Sequence, residues 1–325
     1  MPLLLRKYWK GLIAGLSWCA GIYLAVLFLY LTNHLIWRHR WPDLVEINRK
    51  AQARALDDQM PSLAFLAKLQ QQPLDPSSRR RLKKWADYFD AQVAFAFYPA
   101  DSYSWQGYCF HQLGQPLNAI AAYQKAIQLN PPYFWFHHYL GTVYYANQQW
   151  EPAARSLSDA LKTNPYFTLS TMRNYITVSP PLIFQRRPYL SASDHMLRNN
   201  QLLREGYVDC YQMLTVSLFR LGRYADALEQ SLAALQIQET DQNFFYVMAG
   251  MAAAEMNRYQ EALALITQGL ADYQQDPVVM EYFGRILQSL GRGEEARSVL
   301  SQAQQYKLRN LPDIFVSVDP SMILF

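Results

Sequence analysis

Cysteine is nearly absent from this 325-residue chain: there are three, with no CxxC or CxxCH spacing, so a disulfide framework, a cysteine zinc site, a haem attachment and a dithiol redox centre all lack a basis. Charge is sparse as well, at 17% of residues against 51% apolar, and that composition excludes a disordered or acidic-tail protein. The net charge of +4 is small and unevenly placed. Arg6, Lys7 and Lys10 lie in residues 1–10, eleven bases oppose seven acids over 38–100, and sixteen bases oppose nineteen acids over 101–325. A large domain with a slight acidic excess is a poor match to a polyanion, so no nucleic-acid partner is expected. Catalytic signatures are missing too. There is no GxSxG, P-loop lysine, strand-borne GxGxxG or HExxH, and there are no paired carboxylates in an apolar setting, so no enzyme activity, catalytic residue or cofactor is expected. His137 and His138 come nearest to a ligand pair, but adjacent helical residues point about 100° apart, and no metal site is expected from them.

What the chain does have is one long uncharged run. From Gly11 to Trp37 it reads GLIAGLSWCAGIYLAVLFLYLTNHLIW, with Trp9, Trp18, Trp37 and Trp41 near the ends or first turns. As a helix the run would reach roughly 40 Å, enough for a hydrocarbon core of about 30 Å, and the tryptophans suit the headgroup boundary. A cleaved signal peptide has a shorter apolar region and a small-residue exit, neither of which is present, so residues 11–37 are expected to be a retained transmembrane helix. Residues 1–10 form a basic tail without acids, which is costly to translocate. The expected placement therefore has the amino terminus inside and the large domain outside the cytoplasm; Arg38, Arg40, Arg49, Lys50 and Arg54 after the run keep a cytoplasmic domain as the alternative. Gly11, Gly15 and Gly21, with Ser17, offer a small-residue contact face to other membrane helices.

The rest of the chain repeats itself. Gly107, Gly141, Thr215, Gly250 and Gly284 form one column. Ala119, Ala153, Ala227, Ala262 and Ala296 form a second, and Ala126, Ala160, Ala234, Gly269 and Ala303 a third, all with steps of 34, 74, 35 and 34. Small side chains at fixed spacing are what closely crossing antiparallel helices need where their backbones approach. Tyr123, Leu157, Ile266 and Leu300 supply bulk on the second helix of each pair, and Gly114, Gly222, Asn257 and Gly291 are suited to the left-handed residue that closes a first helix.

This pattern resembles the tetratricopeptide repeat (TPR) family, with its helix–turn–helix unit of about 34 residues. The resemblance implies an all-α, right-handed solenoid of about five helix pairs: two repeats over 101–167, an insertion or degenerate repeat over 168–207, and three more over 208–308. Residues 38–100 are expected to be a helical membrane-proximal region in which Ser77-Ser78 opens a helix carrying Arg79, Arg80, Arg81, Lys83 and Lys84, a face for anionic lipid or simply for water. Within the insertion, a helix capped by Ser191-Ala192-Ser193-Asp194 is expected to run through Glu205, and Pro180, Pro181 and Pro188 break what precedes it into a loop. That loop is either a partner-binding hook built on Phe184, Arg186, Arg187 and Tyr189 or a tolerated surface excursion. The apolar tail 309–325 either folds back over the last repeat, the expected outcome because a bare solenoid end is unstable, or enters a partner.

The family uses a concave groove lined by first-helix residues, and by register these are Tyr108, His111, Trp135, His138, Tyr145, Phe219, Arg220 and Arg285. They either contact protein partners or pack against the insertion and residues 42–100. The functional expectation is a membrane-anchored scaffold that binds protein partners in an envelope membrane complex. The alternative is an accessory subunit of a multi-span enzyme or transporter held mainly through its transmembrane helix.

Overall fold

The protein is described from a computed structural model, which describes Leu24 and residues 74–93, 99–163, 192–236 and 242–318, with no side chain described at 92, 101, 192–205 and 317. The chain divides into two compact units, Met1–Gln71 and Gln72–Phe325, and the elements below belong to the second. Of the predicted membrane span over 11–37 only Leu24 is described, and Gly11, Gly15 and Gly21 lie outside the described residues. So do Phe184, Arg186, Arg187 and Tyr189. Among the described residues no helix is long and apolar enough to cross a membrane.

Every regular element among the described residues is helical. In chain order they are α1 (Pro76–Val93), α2 (Pro99–Gln112), α3 (Pro116–Leu129), α4 (Phe134–Ala146), α5 (Trp150–Lys162), α6 (Ala192–Arg220), α7 (Tyr224–Ala234), α8 (Gln242–Glu255) and α9 (Tyr259–Gly269). A 3-10 turn over Leu270–Tyr273 follows, then α10 (Pro277–Ser289), α11 (Gly293–Leu308) and the single-turn α12 (Ile314–Ser317). Five antiparallel pairs result, α2/α3, α4/α5, α6/α7, α8/α9 and α10/α11, with α1 packed on α2 ahead of them.

The small-residue columns are the seams of these pairs. A methyl group built on Gly107 would meet the Tyr123 ring at 2.9 Å, on Gly141 the Leu157 side chain at 2.6 Å, on Gly250 the Ile266 amide nitrogen at 2.8 Å, and on Gly284 the Leu300 side chain at 2.6 Å. In each case the bulky partner stands sixteen positions further on, so one geometry recurs through the stack. The second column is shut from solvent throughout, and so are Ala126, Ala160, Ala234, Gly269 and Ala303. Thr215 replaces glycine in the third pair, and its buried hydroxyl has no hydrogen-bond partner.

The turn inside each pair is also shared. Gly114, Gly222, Asn257 and Gly291 have positive φ between 60° and 78°, and Gln148 takes the same conformation at 57° without glycine's freedom. The next amide reaches back over the turn at all five sites, for example Gln115 N–H to Phe110 O at 2.8 Å and Gln149 N–H to Tyr144 O at 2.9 Å. Helix starts use carboxylates and proline. Asp276 accepts from the amides of Val278 and Val279 ahead of Pro277. Asp75 caps α1 through the amides of Ser77 and Ser78, so this helix begins at Pro76, slightly ahead of the predicted start. Its Arg79, Arg80, Lys83 and Lys84 are exposed, while Leu82 and Ala86 face the core.

One boundary differs from the sequence expectation. The helix expected to end at Glu205 runs unbroken to Arg220, so α6 combines the end of the predicted insertion with the first helix of the third repeat. Gly206 within it leaves room for the ring of Trp135, which lies 2.5 Å from where a methyl group would stand.

A candidate protein-binding groove

Each first helix touches the first helix of the next pair, in the series α2, α4, α6, α8, α10, whereas the second helices make their main contacts with first helices. The first helices therefore form the inner wall of the curve and the second helices its outer side.

The predicted groove residues divide along this wall. Tyr108, Trp135, His138, Tyr145 and Phe219 are buried, His111 is half-buried, and only Arg220 and Arg285 are exposed. The aromatic part of the wall is closed because other segments lie on it. Trp105 stacks on Phe89 of α1 with centroids 5.8 Å apart and meets Tyr108 edge-on at 6.2 Å. Phe134 stacks on Tyr207 of α6 at 4.6 Å. In the first two repeats these first-helix rings thus pack against α1 and α6. His138 is fully enclosed by the rings of Phe134, Trp135 and Tyr139, neither ring nitrogen has a hydrogen-bond partner, and burial holds its pKa down to about 3. Burial likewise lowers that of His111 to about 4. Neither imidazole is charged near neutral pH. His137 Nε2 lies 2.7 Å from the Pro131 carbonyl oxygen and donates to it. Among the described residues no three His, Cys, Asp or Glu side chains gather in a metal-binding group. Cys109 and Cys210 are buried free thiols, and burial raises the Cys109 thiol to about 12.

The open part of the wall is charged. Arg220 ends α6 and Glu255 ends α8, the same position in successive repeats. The Tyr282 hydroxyl donates to Glu255 Oε1 at 2.6 Å, and Arg285 donates to the same oxygen at 3.3 Å while its guanidinium lies 5.0 Å from the centre of the Tyr282 ring. Burial, then the bond to Glu255, raises the Tyr282 pKa, so the phenol stays protonated and remains a donor. Phe219 sits beside this group, 5.2 Å from the Tyr224 ring and 6.1 Å from that of Tyr282. The combination is an aromatic floor with an acid held by Tyr282 and Arg285. Such a surface suits hydrogen bonding and stacking with a peptide.

Glu255, Tyr224 and Tyr282 are absent from the predicted set. Glu255 shares a register with Arg220, and that equivalence was the available signal. Tyr282 lies two positions ahead of the glycine column, where Trp105, Tyr139, Met213 and Met248 stand in the other repeats, so it reads as core.

The tail folds back, as expected, though over more than the last repeat. Phe315 lies 5.7 Å from the Phe219 ring, and Arg220 stands over the Phe315 ring at 4.0 Å. Residues 319–325 lie outside the described part.

Comparison with known proteins agrees with this architecture. A family profile described as "TPR repeat" matches residues 107–148, and one described as "Tetratricopeptide repeat" matches 247–312. The apo form of RapI is similar at 13% identity and a TM-score of 0.51, over 86% of this chain and 76% of that one. YrrB, described as a TPR protein with an unusual peptide-binding site, is similar at 16% identity and a TM-score of 0.49, over 71% of this chain and 97% of that one. Pseudomonas aeruginosa pilF is similar at 14% identity and a TM-score of 0.45, over 74% and 90%. No curated protein sequence matches the chain. Repeats of this kind serve in general as scaffolds for protein–protein contact, and the fold is typically non-enzymatic. With the glycine and alanine seams, the five shared turns and the two matching profiles in agreement, the chain carries tetratricopeptide repeats, matched at 107–148 and 247–312.

Proposed function

We propose that this protein is a non-enzymatic scaffold, fixed in a bacterial inner membrane by residues 11–37, whose periplasmic repeats grip protein partners and help assemble or stabilise an envelope membrane complex. The observation that carries the protein-binding part is the group of exposed Arg220 and Arg285 with half-buried Glu255 and Tyr282 on the inner wall, where Tyr and Arg, the residue types that dominate interface energy, stand on a rigid helical support. The membrane part rests on the uncharged run and its tryptophan flanks.

A second reading is an accessory subunit bound through its membrane helix, and the spacing of Gly11, Gly15 and Gly21 favours it. Co-isolation of partners from intact membranes separates the two. Under the scaffold reading, Arg220→Glu with Arg285→Glu removes the partner and Gly15→Leu leaves it bound. Loss on Gly15→Leu alone would give the accessory-subunit reading, and retention of the partner in all variants would refute both.

A further inference from the structure

The tail identifies the chemistry that fits the open wall. After α11, Asn310 takes a positive φ of 52° and reverses the chain. Asp313 then caps α12, accepting from the amides of Phe315 and Val316 at 3.0 Å each. That one turn sorts the side chains. Ile314 and Val318 are buried, while Val316 is 71% exposed. Phe315 is placed between the Phe219 ring and the Arg220 guanidinium, and the Ile314 amide donates to the Asp276 carboxylate. The segment therefore meets the first helix of the third pair and the start of the first helix of the fifth. A polar cap for the last repeat would need none of this. Leu308 at the end of α11 is in fact left 78% exposed.

We propose that Asp313–Val318 is a built-in occupant of the binding wall, and that the partner delivers a segment of the same chemistry: a carboxylate followed directly by a branched aliphatic and an aromatic residue. The inference rests on the groove reading above. A few side chains hold the segment against the entropy of ordering it, so exchange for an external peptide is open to it. The tethered copy acts at an effective concentration of about millimolar, so an external peptide binding intrinsically at ~100 μM would be weakened about tenfold by competition.

The test uses the full chain and a fluorescent peptide with the sequence of residues 310–319. Wild type should bind it weakly. Ile314→Ser with Phe315→Ala, which releases the tail, should bind about tenfold more tightly, and so should a chain ending at Leu311, which covers the case in which the double variant misfolds. Adding Arg220→Glu to either should remove the gain, and a peptide with alanine for its phenylalanine should bind at least tenfold more weakly than the parent. Equal affinity of wild type and both released forms, or equal binding of a scrambled peptide, would overturn the proposal. A wild-type dimer by light scattering that becomes monomeric on truncation would also overturn it, because the tail would then be exchanged between copies. If the peptide fails while the partner is still lost on Arg220→Glu with Arg285→Glu, this inference falls and the groove reading stands; the reverse pattern separates them the other way.

Discussion

Gly250→Ala places one methyl group at the tightest backbone approach between α8 and α9. Its new carbon would stand 2.8 Å from the Ile266 amide nitrogen, 2.9 Å from Ile266 Cβ and 3.0 Å from the Ala262 carbonyl oxygen. Ordinary contact is about 3.5–4.0 Å, so α9 must retreat by roughly 0.7 Å. No side-chain rotation relieves this, because two of the three atoms are backbone. Overpacking of this kind costs about 1–3 kcal/mol, and the better helix propensity of alanine returns about 0.5–1 kcal/mol, leaving a net loss of up to about 2.5 kcal/mol, centred near 1 kcal/mol. In a solenoid the damage falls on one pair and its neighbours, so the transition should broaden as its midpoint falls. Gly293→Ala is the control, since nothing lies within 4 Å of its built methyl. It should be neutral or stabilising by up to about 1 kcal/mol. Urea unfolding of the full chain followed by helical circular dichroism reads both. Gly250→Leu should cost more than Gly250→Ala, and Gln236→Leu at an exposed position should cost little. If Gly250→Ala were as harmless as Gly293→Ala, the small-residue columns would not mark helix contacts and the derivation of the fold would fail.

Two further outcomes follow from single residues. Gln148 alone closes its turn in the left-handed region without glycine or asparagine, so Gln148→Gly should raise stability by about 0.5–1 kcal/mol, whereas the same change at an exposed helical position such as Gln124 should lower it. His138 has a pKa of about 3 when folded, against 6.5 in the unfolded chain, so the unfolded state gains the proton first as pH falls. Its contribution is intact above about pH 6.5 and is lost below that at about 1.4 kcal/mol per pH unit until about pH 3. His138→Leu removes two unpartnered ring nitrogens from the core. It should leave stability at pH 7.5 within about 1 kcal/mol of wild type and flatten the fall between pH 6 and 5 by about that slope, as read by thermal unfolding across pH; an unchanged slope would refute the assignment.

The fold was legible because its contacts are local and periodic. Gly141 and Leu157, or Gly284 and Leu300, announce each other through a spacing that recurs in every pair, and Gly114, Gly222 and Gly291 mark turns that few other residues tolerate. Gln148 escaped that reading because the turn is set by the helices on either side of it, and tertiary packing holds a residue in a conformation its own preference opposes. The binding wall was only partly legible. Register correctly assigns Tyr108, Trp135, His138 and Tyr145 to first helices, but it carries no information about what covers them. The covering contacts, Phe134 on Tyr207 and Phe219 on Phe315, join segments far apart in the chain and occur once each, so they leave no periodic trace. The same register names Arg220 and Arg285, and both stand exposed on that wall.

The central claim, that proteins are bound on the inner wall formed by the first helices, is tested most directly by a photo-activatable residue placed at Tyr282 on α10 and, separately, at Leu117 on α3, which is 77% exposed on the outer side. In intact membranes the account predicts a covalent adduct with a partner from position 282 that disappears when Arg220→Glu is added, and none from position 117. Adducts from position 117 alone, or adducts from 282 indifferent to Arg220→Glu, would contradict it.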